Sequence, residues 1–161
     1  MIKKKTLLSL IFLISSYLPI LGQALIVYPT GSSMMEQLAA KEIRKYIYLR
    51  TDQLLEIKSM DALPVKGDLI VVAEKGTPAI NMLKNQFNHS IKLESFVIKS
   101  LTETNRTILI ISGGNAVSTL RAAYRFAEHL GIAFDLAGDI IPDAKINLLL
   151  GWSSCYIKLT F

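Results

Sequence analysis

The sequence predicts an α+β domain, a two-layer sandwich in which a mixed β-sheet carries two long helices packed on one face. Short apolar runs rich in β-branched residues alternate with two long segments of helical periodicity. Two of the runs are separated only by a polar turn, which predicts a hairpin and therefore a sheet that is not wholly parallel. One sheet with both helices on one face is the simplest packing for this order.

The first half of the chain supplies the first strands and the first long helix. Ala24–Tyr28 is a predicted strand, and Ser33 and Glu36 have the spacing of a capping box at a helix start. Leu54–Ile57 and Leu69–Ala73 are two further predicted strands, the second apolar enough to be central. The residues that this helix is expected to bury are Met35, Leu38, Ala39, Ile43, Tyr46 and Ile47.

The second half repeats the alternation. A short helix is predicted from Thr77 to about Asn85, followed by a hairpin of Ser95–Ser100 and Arg106–Ser112. A second long helix is predicted over Ala116–Leu130, with Gly131 as its left-handed cap, and Ile132–Phe134 then begins a last strand of the same sheet. Its predicted buried face is Val117, Leu120, Ala123, Tyr124, Ala127 and Leu130, with Ser118, Arg121, Arg125 and His129 opposite.

The segment 1–24 has the pattern of a secretory signal peptide. Lys3–Lys5 form a positive n-region, Leu7–Leu21 is apolar, and Gly22–Ala24 offers small residues to a signal peptidase. The apolar stretch is shorter than the roughly 20 residues that span a bilayer. We therefore expect an exported protein, periplasmic or extracellular, with no stable membrane anchor after cleavage.

The charge balance argues against a nucleic-acid partner. The formal net charge is +5, but Lys3–Lys5 of the leader supply three of the 18 basic residues. The remaining lysines and arginines are scattered and form no basic cluster interleaved with aromatic residues. The single cysteine, Cys155, excludes an internal disulfide.

Two segments contain residue types that occur in binding or catalytic sites, and each also has a purely structural interpretation. Ser112–Asn115 joins a strand to a helix N-terminus, where free N–H groups favour an anion. It lacks the residues of a Walker loop or a dinucleotide fingerprint, so a tight turn is the better prediction.

Asp135, Asp139 and Asp143 repeat every four residues, and paired carboxylates serve glycoside hydrolysis. In a segment broken by glycine and proline they are more often caps and turn formers.

The remaining candidates are weaker still. His89 and His129 have no partner at metal-ligand spacing, and no local signature makes Cys155 a nucleophile. Asn88-His89-Ser90 and Asn105-Arg106-Thr107 match the N-glycosylation triplet, a pattern that chance often produces. We therefore predict no catalytic, cofactor-binding or metal-binding residue in this chain.

Several stretches together resemble a known kind of domain. They are Ala39–Ile43, Asp68–Val72, Gly113–Asn115, Leu120–Ile132 and Gly138–Pro142. This arrangement resembles the small domain that precedes the catalytic barrel in secreted glycoside hydrolases, the α-glucuronidases of polysaccharide-degrading bacteria in particular, and a domain of this shape also precedes β-hexosaminidase barrels. The second helix departs from the family by lacking its Gly-x-x-Tyr-Gly pattern, so the subfamily is not assigned.

The resemblance covers about Leu25 to Asp143 and implies a non-catalytic N-terminal domain of an exported glycoside hydrolase. The catalytic carboxylates of such enzymes lie on the barrel that follows, so the implied partner is a C-terminal catalytic barrel absent from this chain, docked on an apolar face. The apolar tail, residues 144–161, is either an extra strand or the product of a truncated or frame-shifted gene. The alternative function is a stand-alone periplasmic module that binds carbohydrate or another protein, which the position of the sole tryptophan, Trp152, in the tail disfavours.

Overall fold

A computed structural model describes residues 23–83, 91–148 and 150, and the backbone of residues 155–157. The predictions on residues 1–22, on Asn88-His89-Ser90 and on Trp152 lie outside the described residues. The strands are β1 (Leu25–Tyr28), β2 (Ile57–Ser59), β3 (Leu69–Glu74), β4 (Phe96–Glu103), β5 (Arg106–Gly113), β6 (Ala133–Asp135), β7 (Gly138–Ile140) and β8 (Cys155–Ile157). The helices are α1 (Met34–Thr51), α2 (Pro78–Leu83) and α3 (Ala116–His129).

The main sheet is mixed, as predicted. Its strand order is β2-β1-β3-β5-β4-β8. Strands β2, β1, β3 and β5 are mutually parallel, while β4 is antiparallel to β5 and to β8. Helices α1 and α3 contact each other and lie on one face of this sheet. The predicted α+β sandwich is therefore confirmed.

The alternating side chains of the central strands build two cores. In β3, Ile70 and Val72 face α1 and α3, whereas Leu69 and Val71 face α2 and the loops beside it. Both sets are at most 1% exposed. Because side chains alternate along a strand, only a run that is apolar at every position can fill both sides. Much of the chain's apolar content is thus used within the described fold.

The buried face of α1 differs from the prediction at its two ends. The capping box forms, since the Ser33 hydroxyl accepts a hydrogen bond from the Glu36 N–H and a Glu36 carboxylate oxygen accepts one from the Ser33 N–H. Glu36 itself is buried and takes the inward position of the first turn. Met35 and Leu38, predicted to be buried, are instead exposed because they lie beside this inward row.

Arg50 closes the other end of α1 and is also buried. Its Nε donates to the carbonyl of Leu130 at 2.6 Å, and its Nη1 donates to the carbonyls of Pro142 at 2.6 Å and Ala144 at 2.5 Å. The carbonyl of Arg50 in turn accepts from the N–H of Ile146 at 2.8 Å. One guanidinium therefore joins the ends of α1 and α3 to the segment 142–146.

Helix α3 begins and ends as predicted, but its buried face is displaced. Gly131, with φ of +87°, forms the left-handed cap, and the N–H of Ile132 reaches the Ala127 carbonyl in a Schellman motif. Val117, predicted to be buried, is exposed. Ser118, placed on the outer side, is buried because the polar segment before β4 covers the start of the helix.

Two strands differ from their predicted places. β2 begins at Ile57 rather than Leu54, because its parallel pairing with β1 starts where Ile57 lies beside Ile26. The last predicted strand does not enter the main sheet. Ala133–Asp135 pairs instead with Gly138–Ile140 across a two-residue turn, and these two strands form a separate two-stranded sheet. We call residues 133–141 the ribbon.

The tail contributes to the main sheet. Leu150 is buried in the core beneath the long helices, and the backbone of Cys155–Ile157 pairs with β4 as the edge strand β8.

Candidate functional site

The glycine-rich turn after β5 is filled by the chain itself. A Cβ on Gly113 would lie 2.2 Å from the backbone nitrogen of Thr119, and a Cβ on Gly114 would lie 2.0 Å from the carbonyl oxygen of Lys92. Distances this short are impossible for real side chains, so Gly113 allows the end of β5 to approach the start of α3, and Gly114 allows the segment before β4 to pass against the turn. No space for a ligand is needed to explain them.

Two backbone donors of this turn also have partners. The Gly114 N–H donates to the Ser95 carbonyl at 2.9 Å, and the Ser118 N–H donates to the Asn115 side chain at 2.8 Å. An anion at a helix N-terminus needs free N–H groups, and these two are not free. The segment forms the tight β–α turn that the sequence favours.

The three aspartates do not converge. In the ribbon, Asp139 lies opposite Phe134 and shares its face, while the neighbouring Asp135 points to the other face. Asp135 accepts a hydrogen bond from the N–H of Leu136, as a turn former does. Asp143 is exposed in the segment that follows. The four-residue repeat is broken by the hairpin, so Asp135 and Asp139 lie on opposite faces of the ribbon.

Asp139 instead belongs to a polar cluster between the ribbon and α1. Its Oδ2 accepts hydrogen bonds from the Tyr46 hydroxyl at 2.8 Å and from the Lys45 ammonium at 3.0 Å. The ammonium also lies 4.4 Å from the centre of the Tyr46 ring. We call Lys45, Tyr46 and Asp139 the ribbon anchor, because they hold β7 on the helix.

Aromatic contacts complete the anchor. The Phe134 ring meets the rings of Tyr46 and Tyr124 edge to face, with centroids 5.7 Å and 5.3 Å apart. Such pairs contribute about 0.5–1.5 kcal/mol each beyond the area they bury. The ribbon is thus fixed on the groove between α1 and α3 by one face only.

The pKa values in this cluster are displaced away from neutrality. The hydrogen bond from Lys45, and then that from Tyr46, lowers the pKa of Asp139. Burial, together with the hydrogen bond to Asp139, raises the pKa of Tyr46 to about 12. For Lys45, burial lowers the pKa, but the hydrogen bonds with Asp139 and Tyr46 outweigh it and the pKa is raised. At pH 7 the three groups are therefore a carboxylate, a neutral phenol and an ammonium, and none is poised to exchange a proton near neutrality.

A second pair of acidic residues lies where the parallel strands end. This edge, beside β1, is where the strand order reverses, and open α/β sheets commonly bind ligands there. Glu36 accepts hydrogen bonds there from the N–H groups of Ser33 and Glu74, both at 2.9 Å. Burial, and then the charge of Glu36, raises the pKa of Glu74. One oxygen of Glu36 thus caps α1, and the other joins α1 to β3.

The other candidates contribute no site within the described residues. His129 is exposed in the last turn of α3, and Asn105 is exposed in the turn between β4 and β5. Only the backbone of Cys155 is described, and His89 is outside. No group of three or more metal-ligating side chains occurs in the described part of the chain.

The sequence did not predict the ribbon anchor. The helical periodicity predicts Tyr46 and Tyr124 on buried faces but names no partner for either. One signal was available, since a buried tyrosine usually finds a partner for its hydroxyl. That partner, Asp139, is 93 residues away along the chain.

Comparison with known proteins gives no assignment: no family model matches the chain, and a search of curated proteins gives no match either. None of the helices in the described ranges is both long and apolar enough to cross a bilayer.

Proposed function

We propose that this chain is a non-catalytic domain of an exported glycoside hydrolase of polysaccharide degradation, of the kind that precedes the catalytic barrel in α-glucuronidase-like enzymes. The observation that carries the proposal is that the candidate chemical groups are used in packing. The glycine-rich turn is occupied by residues 92–95, Glu36 caps α1, and Asp139 anchors the ribbon. These are the roles expected of a supporting domain.

The fold supports the same proposal. A mixed sheet with both long helices on one face is the architecture that the resemblance implies, and it is the architecture of the described residues. The implied partner, a catalytic barrel, would supply the pair of catalytic carboxylates. Fold alone does not determine function, so the proposal depends on the resemblance and on the use of the candidate groups together.

The first test is an activity assay on the purified chain. We expect no hydrolysis of aryl glycosides or of glucuronic-acid-substituted xylan oligosaccharides. The controls are the variants Asp135→Asn and Asp139→Asn, which keep the shape of the side chains but remove their charge. Hydrolysis by the wild-type chain that either substitution abolishes would show that the ribbon is catalytic and would contradict the proposal.

The second test examines whether the chain binds the implied catalytic barrel. A bacterial α-glucuronidase barrel, produced without its own N-terminal domain, is mixed with the chain and its melting temperature is measured. We expect the chain to raise this temperature, because a domain that binds only the folded barrel stabilises it. An unchanged melting temperature over a range of excess chain would count against the barrel partner.

One observation favours the alternative of a carbohydrate-binding module. Phe134 is 39% exposed and lies beside the charged groups of the ribbon anchor, a combination of aromatic and polar groups that suits a sugar. The alternative predicts saturable binding of oligosaccharides, which Phe134→Ala would weaken. Calorimetric titrations with plant oligosaccharides that show no binding would contradict this alternative.

A further inference from the structure

The ribbon covers only one end of the groove between α1 and α3. Tyr46 on α1 and Tyr124 on α3 both contact the ring of Phe134, so these two tyrosines face each other across the groove. Burial, and then the charge of Glu42, raises the pKa of Tyr124, which agrees with a place for Glu42 in the same groove. Residues three or four positions apart share one side of a helix. Counted back from the tyrosines, the walls are therefore Glu42, Leu38 and Met35 on α1, and Leu120 and Val117 on α3.

The end of the groove away from the ribbon is apolar. We call Met35, Leu38, Val117 and Leu120 the open groove. Within the described residues, Val117 is 56% exposed, Met35 44% and Leu38 38%, while Leu120 is partly buried against the core. Two facing rows of large apolar side chains form one patch rather than scattered surface residues, and such a patch indicates a binding surface for a partner.

The chain leaves the main sheet close to the open groove. Both long helices begin at the carboxyl ends of parallel strands, so the open groove lies at that edge of the sheet. Strand β8 runs toward the same edge, because Ile157 pairs with Phe96, and Phe96 pairs with Gly113 at the end of β5. Two strand spacings, about 10 Å, therefore separate Ile157 from the segment that begins α3. Residues that follow β8 start within reach of the open groove.

A domain joined to the chain after β8 is thus placed to cover this patch. We propose that the open groove is the docking surface for the catalytic barrel, with an apolar element of the barrel packed between Met35 and Val117. This inference rests on the proposed function, which supplies a barrel in the same polypeptide. It adds the surface that the barrel contacts, on the helical side of the domain and beyond the ribbon.

The experiment measures the melting temperature of a bacterial α-glucuronidase barrel, produced without its own N-terminal domain, against the concentration of added chain. The test variants are Val117→Asp and Met35→Asp. Both residues lie in the first turn of a helix, where a carboxylate is favourable, so each change introduces a charge into the open groove without weakening the helix. We expect each variant to bind the barrel at least about tenfold more weakly than the wild type, which corresponds to about 1.4 kcal/mol.

Two variants at other exposed apolar positions are the matched controls. Val65 is 86% exposed in the loop before β3, and Leu136 is fully exposed at the tip of the ribbon. Val65→Asp and Leu136→Asp introduce the same charge outside the open groove, so both should raise the melting temperature of the barrel as the wild type does. A loss of binding by Leu136→Asp alone would place the barrel on the ribbon and would overturn the proposal.

The remaining outcomes separate this proposal from the proposed function. If the wild-type chain stabilises the barrel and the two test variants do so equally well, the open groove is not the docking surface, although the barrel remains the partner. If the wild-type chain has no effect, both proposals fail. Residues 158–161 are the competing occupant of the groove. A melting temperature of the chain alone that falls equally in Phe161→Asp and Val117→Asp would identify that segment as the occupant and overturn the docking proposal.

Discussion

The glycine-rich turn and the ribbon both lie beside α3, but the turn is packed against other parts of the chain whereas the ribbon is largely exposed. At the turn, Gly113 packs against the start of α3 and Gly114 against residues 92–93, and the backbone donors described above bond within the chain. At the ribbon, every residue from 133 to 141 is exposed, and contact with the helices is limited to one face. Both regions contain residue types that often occur in binding or catalytic sites. What distinguishes them is whether residues distant in the sequence pack over them, because only a region left exposed can contact a ligand or a partner.

The largest effect is expected where the turn is most tightly covered. Gly114→Ala places a methyl group 2.0 Å from the Lys92 carbonyl, so the backbone must move. We expect the free energy of unfolding to fall by about 3 kcal/mol or more, measured by urea denaturation. The control is Gly67→Ala, where φ is +84° and nothing lies within 4 Å, so only the backbone strain of about 1–2 kcal/mol applies. Equal losses for the two variants would show that the turn is not close-packed.

The next effect tests how the chain is held after it leaves the ribbon. Arg50→Met removes the donor shared by the carbonyls of Leu130, Pro142 and Ala144. We expect a loss of about 2–3 kcal/mol, because the buried carbonyl of Leu130 loses a charged donor and keeps its desolvation penalty, and the hydrogen bonds to the more exposed carbonyls of Pro142 and Ala144 are lost as well. Arg44→Met, on the same helix but more exposed, should change stability by no more than about 0.5 kcal/mol. A small loss for Arg50→Met would mean that the segment 142–146 is held by other contacts.

A smaller and pH-dependent effect is expected at the ribbon anchor. The pKa of Asp139 is lowered below its ordinary value of 3.8, so its carboxylate stabilises the folded chain above that pH, and the stabilisation is lost as the pH falls through the lowered pKa. Asp139→Asn should therefore lower the melting temperature at pH 6–7, and the difference from wild type should shrink below about pH 4. Asp135→Asn is the control, because Asp135 bonds only the adjacent N–H of Leu136 and has no contact with α1, and it should lower the melting temperature at pH 6–7 by less than Asp139→Asn does. A difference that stays constant down to pH 2 would contradict the anchor.

Tyr46 gives an independent measurement of the same contact. Because burial and the Asp139 hydrogen bond raise its pKa to about 12, its absorbance change at high pH should occur well above that of an exposed tyrosine. In Asp139→Asn this titration should move toward lower pH, since one of the two causes is removed. An unchanged titration would show that burial alone acts on Tyr46.

The smallest effect is expected beside the turn, inside the second core. The hydroxyl of Ser112 is buried and has no hydrogen-bond partner among the described residues, whereas the hydroxyl of Ser118 donates to the Leu93 carbonyl at 2.9 Å. Ser112→Ala should leave the free energy of unfolding unchanged or raise it by up to about 1 kcal/mol, and Ser118→Ala should lower it by about 1 kcal/mol. Urea denaturation of the two variants side by side provides the measurement. A loss for Ser112→Ala as large as that for Ser118→Ala would mean that the hydroxyl has a partner.

The elements that follow from local pattern could be predicted from the sequence. The capping box of Ser33 and Glu36, the apolar run of β3 and the glycine cap at Gly131 each depend on residues within one or two turns of each other. The ribbon could not be predicted in this way, because its separation from the main sheet depends on Tyr46 and Lys45, more than 90 residues earlier. The inward charged positions Glu36 and Arg50 were missed for a similar reason, since an apolar pattern does not reveal a buried charge whose partners are distant backbone groups.

The contacts of Arg50 have a consequence for folding during synthesis. Its three acceptor carbonyls follow it by 80, 92 and 94 residues, so none exists when α1 leaves the ribosome. Until residue 144 has emerged, the guanidinium remains hydrated and the end of α1 lacks its final contacts. The domain therefore completes its fold only after residue 144 has been translated, and a nascent chain stalled before residue 142 would present an incompletely closed core to chaperones.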